Sequence, residues 1–86
     1  MFHVYLIRSK NLGQFYIGQT DDLKRRITEH NSGESKWTKK TNDWELVYYE
    51  AFTSRKLAMN REQKLKHHAR GKQELLKRVI EESGEG

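Results

Sequence analysis

The sequence contains no cysteine. Neither a disulfide nor a thiolate-bound metal can staple the chain, and such a composition fits a reducing cytosol. Proline is missing too, and no repeat or low-complexity linker divides the sequence. No apolar run approaches the ~20 residues that a membrane-spanning helix needs. Met1 to Ile7 lacks the basic region, long apolar stretch and cleavage site of a signal peptide. The chain is expected to be cytoplasmic and to have no membrane partner. Hydrophobic residues make up 34% of its 86 positions, so a single domain with a modest core is what the length allows.

Positive charge is what the sequence has in excess. Lys and Arg total 17 against 12 Asp and Glu, a formal net charge of +5. A basic domain attracts polyanions through long-range electrostatics and counterion release. Small basic proteins are common, so charge alone does not make this a nucleic-acid binder.

Hydrophobic patterning gives the element order. Phe2 to Ile7 is rich in β-branched and aromatic residues and predicts a strand. Turn residues follow up to Gly13, and Phe15 to Gly18 predicts a second strand, completing a hairpin. Thr20 can cap a helix, with Leu23, Ile27 and His30 on one helical face and Gly33 suited to the helix end. Glu34 to Asp43 is polar, basic and aperiodic, and predicts a loop. Trp44 to Phe52 is the strongest strand candidate, with Trp44, Leu46 and Tyr48 on one face and Val47 and Tyr49 on the other. Thr53 or Ser54 can cap a helix over Arg55 to His68. Gly71 interrupts the pattern before a last helix over Lys72 to Glu82. The expectation is an α+β domain over residues 1–82, order β-β-α-β-α-α, with helices flanking a three-stranded antiparallel sheet and a flexible tail at 83–86.

Several positions could carry chemistry. Tyr5 and Tyr16 lie on the two hairpin strands and share a face only if paired residues sum to an odd number, which requires a loop of even length without a bulge. The plain alternative is that both pack the sheet, as strand tyrosines often do. Gly18, at a strand end, permits close approach of another group. Arg26 and His30 are helical neighbours. Arg26 could clamp a phosphate, and His30 could orient a base or share a proton; a solvated helix face is the alternative.

Glu62 is more unusual, because Ala58, Glu62 and Leu65 follow the spacing of an apolar stripe. A carboxylate facing inward is costly unless paired or bound to a cation. It could meet Arg26, hold a divalent metal, or sit solvated at the stripe's edge beside Lys66. Lys36, Trp37, Lys39 and Lys40 mix cations with an indole, which suits a polynucleotide backbone and a base. The alternative is that Trp37 pins the loop onto the core. His67 and His68, adjacent on a helix, face different ways and are read as surface.

Taken together, these residues resemble the GIY-YIG nuclease family. The second signature triplet, Tyr16-Ile17-Gly18, is intact. The first keeps its tyrosine in His3-Val4-Tyr5, with His3 and Val4 where the family has glycine and isoleucine. Thr20 to Asn31 and Arg61 to Lys66 extend the likeness. It is strongest to the short, stand-alone members, which are similar to the N-terminal incision domain of the bacterial excinuclease. No asparagine follows Glu62, where many members have one. The resemblance implies a three-stranded antiparallel sheet with the site on one face. It implies an endonuclease that hydrolyses DNA in repair or recombination, with one Mg2+ or Mn2+ held by Glu62 and targeting by a partner protein. Tyr5 and Tyr16 would flank the scissile phosphate and one would help deprotonate water. Arg26 would stabilise charge, and His30 would orient a tyrosine or relay a proton. The competing readings are a non-catalytic nucleic-acid-binding module and a protein-docking domain on the same fold.

Overall fold

The computed structural model describes residues 1–67 and 69–82. Its centre is β1 (Phe2–Ser9), flanked by β2 (Gln14–Thr20) and β3 (Glu45–Phe52) in an antiparallel sheet of order β2-β1-β3. Helix α1 (Leu23–Asn31) lies between β2 and β3 in sequence, and α2 (Arg55–His67) and α3 (Ala69–Glu82) follow. The observed order is the β-β-α-β-α-α expected from the pattern. The expected tail at 83–86, and His68, lie outside the described residues.

The hairpin register answers the parity question. Tyr5 pairs with Gly18 and Ile7 with Tyr16, a constant sum of 23. That sum is odd, so Tyr5 and Tyr16 stand on the same face. Four residues connect the strands, and Gly13 takes the positive φ of 63° that the turn needs.

The two faces of the sheet carry two separate clusters. Val4, Leu6 and Ile17 point to one side and meet Ala58 and Leu65 of α2 and Leu75 and Val79 of α3. Tyr5 and Ile7 point to the other and meet Trp44, with Tyr16, Leu46 and the α1 residues Leu23 and Ile27 around them. Alternation along β3 is broken by a bulge: Leu6 pairs with Tyr48, but Ile7 pairs with Leu46, which leaves Val47 as the extra residue. The expected common face for Leu46 and Tyr48 is therefore corrected. Leu46 joins the α1 side, while Val47 and Tyr48 both pack against the α2–α3 side.

Two helix boundaries differ in detail from the expectation, and the Ser54 cap and the Gly33 helix end agree with it. The cap of α1 is Asp22, whose side chain accepts from the Arg25 N–H at 3.1 Å, rather than Thr20. Thr20 ends β2 and its hydroxyl accepts from the Asp22 N–H. Ser54 caps α2 through the Leu57 N–H. Gly71 lies inside α3 near its start rather than separating two helices; a glycine this close to a helix end costs little. Gly33 follows α1 at φ 82°, the left-handed conformation that closes helices.

Candidate active site

Glycine 18 shows how the hairpin makes room for chemistry. A Cβ built there would lie 2.6 Å from Cζ of Tyr5, so only glycine lets the phenol lie across β2. The close approach expected at Gly18 is thus made by Tyr5 itself, and Gly18 is buried beneath it.

The Tyr5 oxygen ends 2.7 Å from Nε2 of His30. His30 is fully buried and comes from the apolar face of α1. Its ring centroid lies 5.7 Å from that of Tyr5 and 5.2 Å from that of Tyr16, so the imidazole sits between the two phenols. On its far side Nδ1 meets Oγ1 of Thr38 at 2.6 Å. Burial and the nearby Arg26 cation push the His30 pKa down to about 4, so the ring is neutral near pH 7. Burial likewise pushes the Tyr5 phenol up to about 12. The Arg26 guanidinium, facing the same oxygen, counters part of that rise, whereas Tyr16 and Glu62 add to it. Glu62 is therefore within electrostatic reach of Tyr5.

Arg26 is anchored by Glu29, one turn on, at 3.0 Å. Of the alternatives open for Glu62, the pairing with Arg26 is not formed. Glu62, with a side chain 13% exposed, instead holds Lys66 at 3.2 Å. Lys66 also lies over the Tyr16 ring, 5.5 Å from its centroid. The Glu62–Lys66 pair thus belongs to the same locus as the two tyrosines. His3, in the family's glycine position, packs edge-on against the half-exposed Tyr49 at 5.7 Å.

The loop after α1 is built from both sides. Trp37 is 70% exposed, with Lys36 over its ring at 5.4 Å, so it does not pin the loop. Trp44 does that, donating from Nε1 to the Thr38 carbonyl at 2.8 Å. Asn31 then clamps the Trp44 backbone through both its amide groups, at 2.9 and 2.7 Å. Lys36, Lys39 and Lys40 face solvent while Ser35 and Thr38 are buried. Thr38 and Asn31 are the residues that sequence reasoning passed over. A buried histidine needs a partner for its second nitrogen, but nothing in the sequence says which loop hydroxyl supplies it.

Among the described residues, no group of three or more His, Cys, Asp or Glu side chains converges. A magnesium-type ion needs less: one carboxylate, with water and phosphate oxygens completing its shell. Glu62, largely buried at the edge of the tyrosine pair, fits that donor set.

A three-stranded antiparallel sheet flanked by helices, in the order β-β-α-β-α-α, is a nuclease-type fold. The chain belongs to the GIY-YIG family: the family model described as the GIY-YIG catalytic domain matches residues 1–74. Within it, the relatives are short UPF0213 proteins. One from Halobacterium salinarum is 39% identical over 77 residues, covering 88% of this chain and 99% of its own. Another, from Natronomonas pharaonis, is 41% identical over 70 residues, or 80% of each chain. The solution NMR structure of a UPF0213 protein from Bacillus halodurans is 38% identical, with a TM-score of 0.55, and the match covers 92% of this chain and 85% of that one. No helix among the described residues is long and apolar enough to cross a membrane.

Proposed function

We propose that this chain is an endonuclease that hydrolyses DNA phosphodiester bonds with one Mg2+ or Mn2+ ion, in repair or recombination. The observation that carries the reading is the convergence of Tyr5, Tyr16, Arg26 and His30 on one sheet face with the Glu62 carboxylate alongside. Hydrolysis of a phosphodiester needs an activated water, positive charge at the transition state and help for the leaving oxygen. Arg26 is permanently charged and is held in place by Glu29, so it can stabilise the phosphate oxygens without first being ordered. Tyr5 and Tyr16 flank the phosphate, and one of them, once its own phenol proton has passed to solvent, takes the proton of the attacking water. Glu62 would hold the ion, which when bound would polarise the phosphate and support the leaving oxygen. Lys36, Trp37, Lys39 and Lys40 line the strand's path, contacting backbone and base, and Gly18 serves the substrate by seating Tyr5.

The test is a panel of labelled duplex, flapped, branched and single-stranded DNAs with Mg2+ or Mn2+, comparing wild type with Glu62→Ala. Nicking should fall by at least ~100-fold in the variant, the scale for losing one charge-stabilising group. Equal nicking by both proteins would defeat the assignment. The solvent-facing Trp37 and its lysines favour a second reading, a binding module without turnover. That reading predicts salt-sensitive DNA binding, unchanged in Glu62→Ala and unaccompanied by cleavage.

A further inference from the structure

We infer that Tyr49 is a stacking platform for one unpaired DNA base beside the phosphate held at Tyr5, Tyr16 and Arg26, so that the substrate is DNA unpaired at the cut. The place of the phosphate rests on the endonuclease reading; the stacking of a base on Tyr49 does not.

The sheet register places the ring. Tyr49 pairs with Tyr5 across β3 and β1, and Tyr5 pairs with Gly18 across β1 and β2. These residues form one row across the sheet, so Tyr49 faces the same side as Tyr5 and Tyr16. Helix α1 covers only part of that side, where Leu23 and Ile27 close over Ile7, Leu46 and Trp44. Tyr49 lies outside this cover and is 53% exposed, and Ala51, in the next row opposite His3, is exposed as well. Tyr5 leans the other way, over Gly18. Among the described residues the ring contact of Tyr49 is the edge contact with His3, at 67° between the planes. One neighbouring ring can take at most one of the two faces of the phenol, and the other stays open.

Charge and position identify the occupant. No strand residue on this side of the sheet is acidic: Glu45 and Glu50 pair with Arg8 and Val4 and stand on the opposite side. With a net charge of +5 on the chain and Arg26 in the adjoining site, a polyanion is drawn here rather than repelled. β3 lies two strand spacings, about 10 Å, from the β2 strand that carries Tyr16. A phosphate at Tyr16 and Arg26 therefore leaves its neighbouring nucleotide only the width of β1 to cross. A base and a phenol stack through their flat π-faces, whatever the base. Inside a duplex both faces of a base are already covered by its neighbours, so a base reaches Tyr49 only where pairing and stacking are broken. A single exposed tyrosine is an ordinary surface feature. One in the row of Tyr5, on a paired strand and an acid-free face, is held in place to meet the substrate.

The experiment measures binding by the full-length protein without divalent metal, using fluorescence anisotropy. The labelled probes are single-stranded DNA, an abasic sugar–phosphate strand of the same length, and a hairpin duplex with a closed end. Tyr49→Ala should weaken binding to single-stranded DNA at least ~5-fold, the scale of one lost base stack. Tyr49→Phe, which keeps the ring, should restore it. The abasic strand and the duplex should bind Tyr49→Ala and wild type alike. Should Tyr49→Ala fail to fold, Tyr49→Thr, a better strand former, takes its place. Equal binding of single-stranded DNA by wild type and Tyr49→Ala overturns the inference and leaves the ring to a protein partner. An equal loss on the abasic strand overturns it too, since the contact would then be to the backbone. So does a Tyr49→Phe variant as weak as Tyr49→Ala, or a wild type with no affinity for single-stranded DNA. Nicking with Mg2+ or Mn2+ is scored separately. Wild type that binds through Tyr49 and never nicks strikes the endonuclease reading alone. Wild type that nicks, with Tyr49→Ala binding and nicking equally well, strikes this inference alone.

Discussion

Tyr5 and Leu6 are neighbours on β1 and each is 1% exposed, yet their burial has different terms. Leu6 faces Val4, Ile17, Ala58 and Leu65, an apolar surface with no direction to its attraction. Tyr5 faces His30 and Arg26, and its oxygen must find partners at defined angles. The α2–α3 side tolerates rearrangement as long as volume is conserved. The α1 side does not, because its buried polar groups are linked one to the next: Tyr5 to His30, His30 to Thr38, Thr38 to Trp44, Trp44 to Asn31. One side supplies folding energy, and the other spends part of it to hold a neutral histidine and a protonated phenol in the interior.

The sharpest contrast comes from removing volume on the apolar side. Leu65→Ala should cost about 2–5 kcal/mol, against a total of roughly 4–13 kcal/mol expected for a chain of this length. Urea denaturation would show the midpoint collapsing. A loss below ~1 kcal/mol would mean that α2 does not anchor the core and that the two faces are not divided as described.

Acid should strike the other side. In the unfolded chain His30 takes up a proton near its ordinary 6.5, whereas in the folded chain it does so only near 4. Between those values the unfolded state binds more protons, so stability falls as pH drops from 6.5 to about 4, by ~3 kcal/mol in all. Asp43 acts in a separate window. The Ser9 hydroxyl and the Asn11 N–H hold its carboxyl down to about 2, so its contribution persists until pH falls below the ordinary 3.8 and is lost towards 2. His30→Gln should flatten the upper window and leave the lower one. An unchanged slope above pH 4 in that variant would remove His30 as its source.

Part of this division was legible in the chain. The hairpin was, and Glu62 announced itself by breaking the Ala58–Leu65 stripe, but whether Tyr5 and Tyr16 share a face hung on a loop length that only the structure fixes. What stayed hidden has physical reasons. The bulge at Val47 shifts one strand by a residue relative to β1, and an unbroken run of strand-forming residues carries no mark of it. Thr38 sits in an aperiodic basic loop, where only the three-dimensional return of the chain to α1 makes it a partner of His30. The Glu62–Lys66 pair was visible as helical spacing, but its place over Tyr16 depends on how α2 passes the sheet.

Gly18→Ala tests the join between the faces. The added methyl meets the Tyr5 ring, and moving a buried phenol should cost about 1–3 kcal/mol, the usual range for overpacking. Nicking should fall much further than stability, because the Tyr5 oxygen leaves His30 with the same displacement. Proportionate losses of both would show that Tyr5 is a core residue and nothing more.

Lys66→Met should have the smallest effect on folding and a distinct one on the site. An i,i+4 pair contributes ~0.3–0.5 kcal/mol, so the thermal midpoint should barely move. The Glu62 carboxylate, however, loses the ammonium that now lies 3.2 Å from it. Any cation that binds Glu62 has to compete with that ammonium, so Mn2+ affinity measured by calorimetry should rise several-fold in the variant. Lys66→Arg, which keeps the charge, should bind Mn2+ as wild type does. Equal affinity in all three proteins would mean that Lys66 swings clear of Glu62 at no cost, and the pair would then be an ordinary feature of a helix surface. A rise confined to Lys66→Met, at nearly constant stability, would instead show a charge held at the site for reasons other than folding.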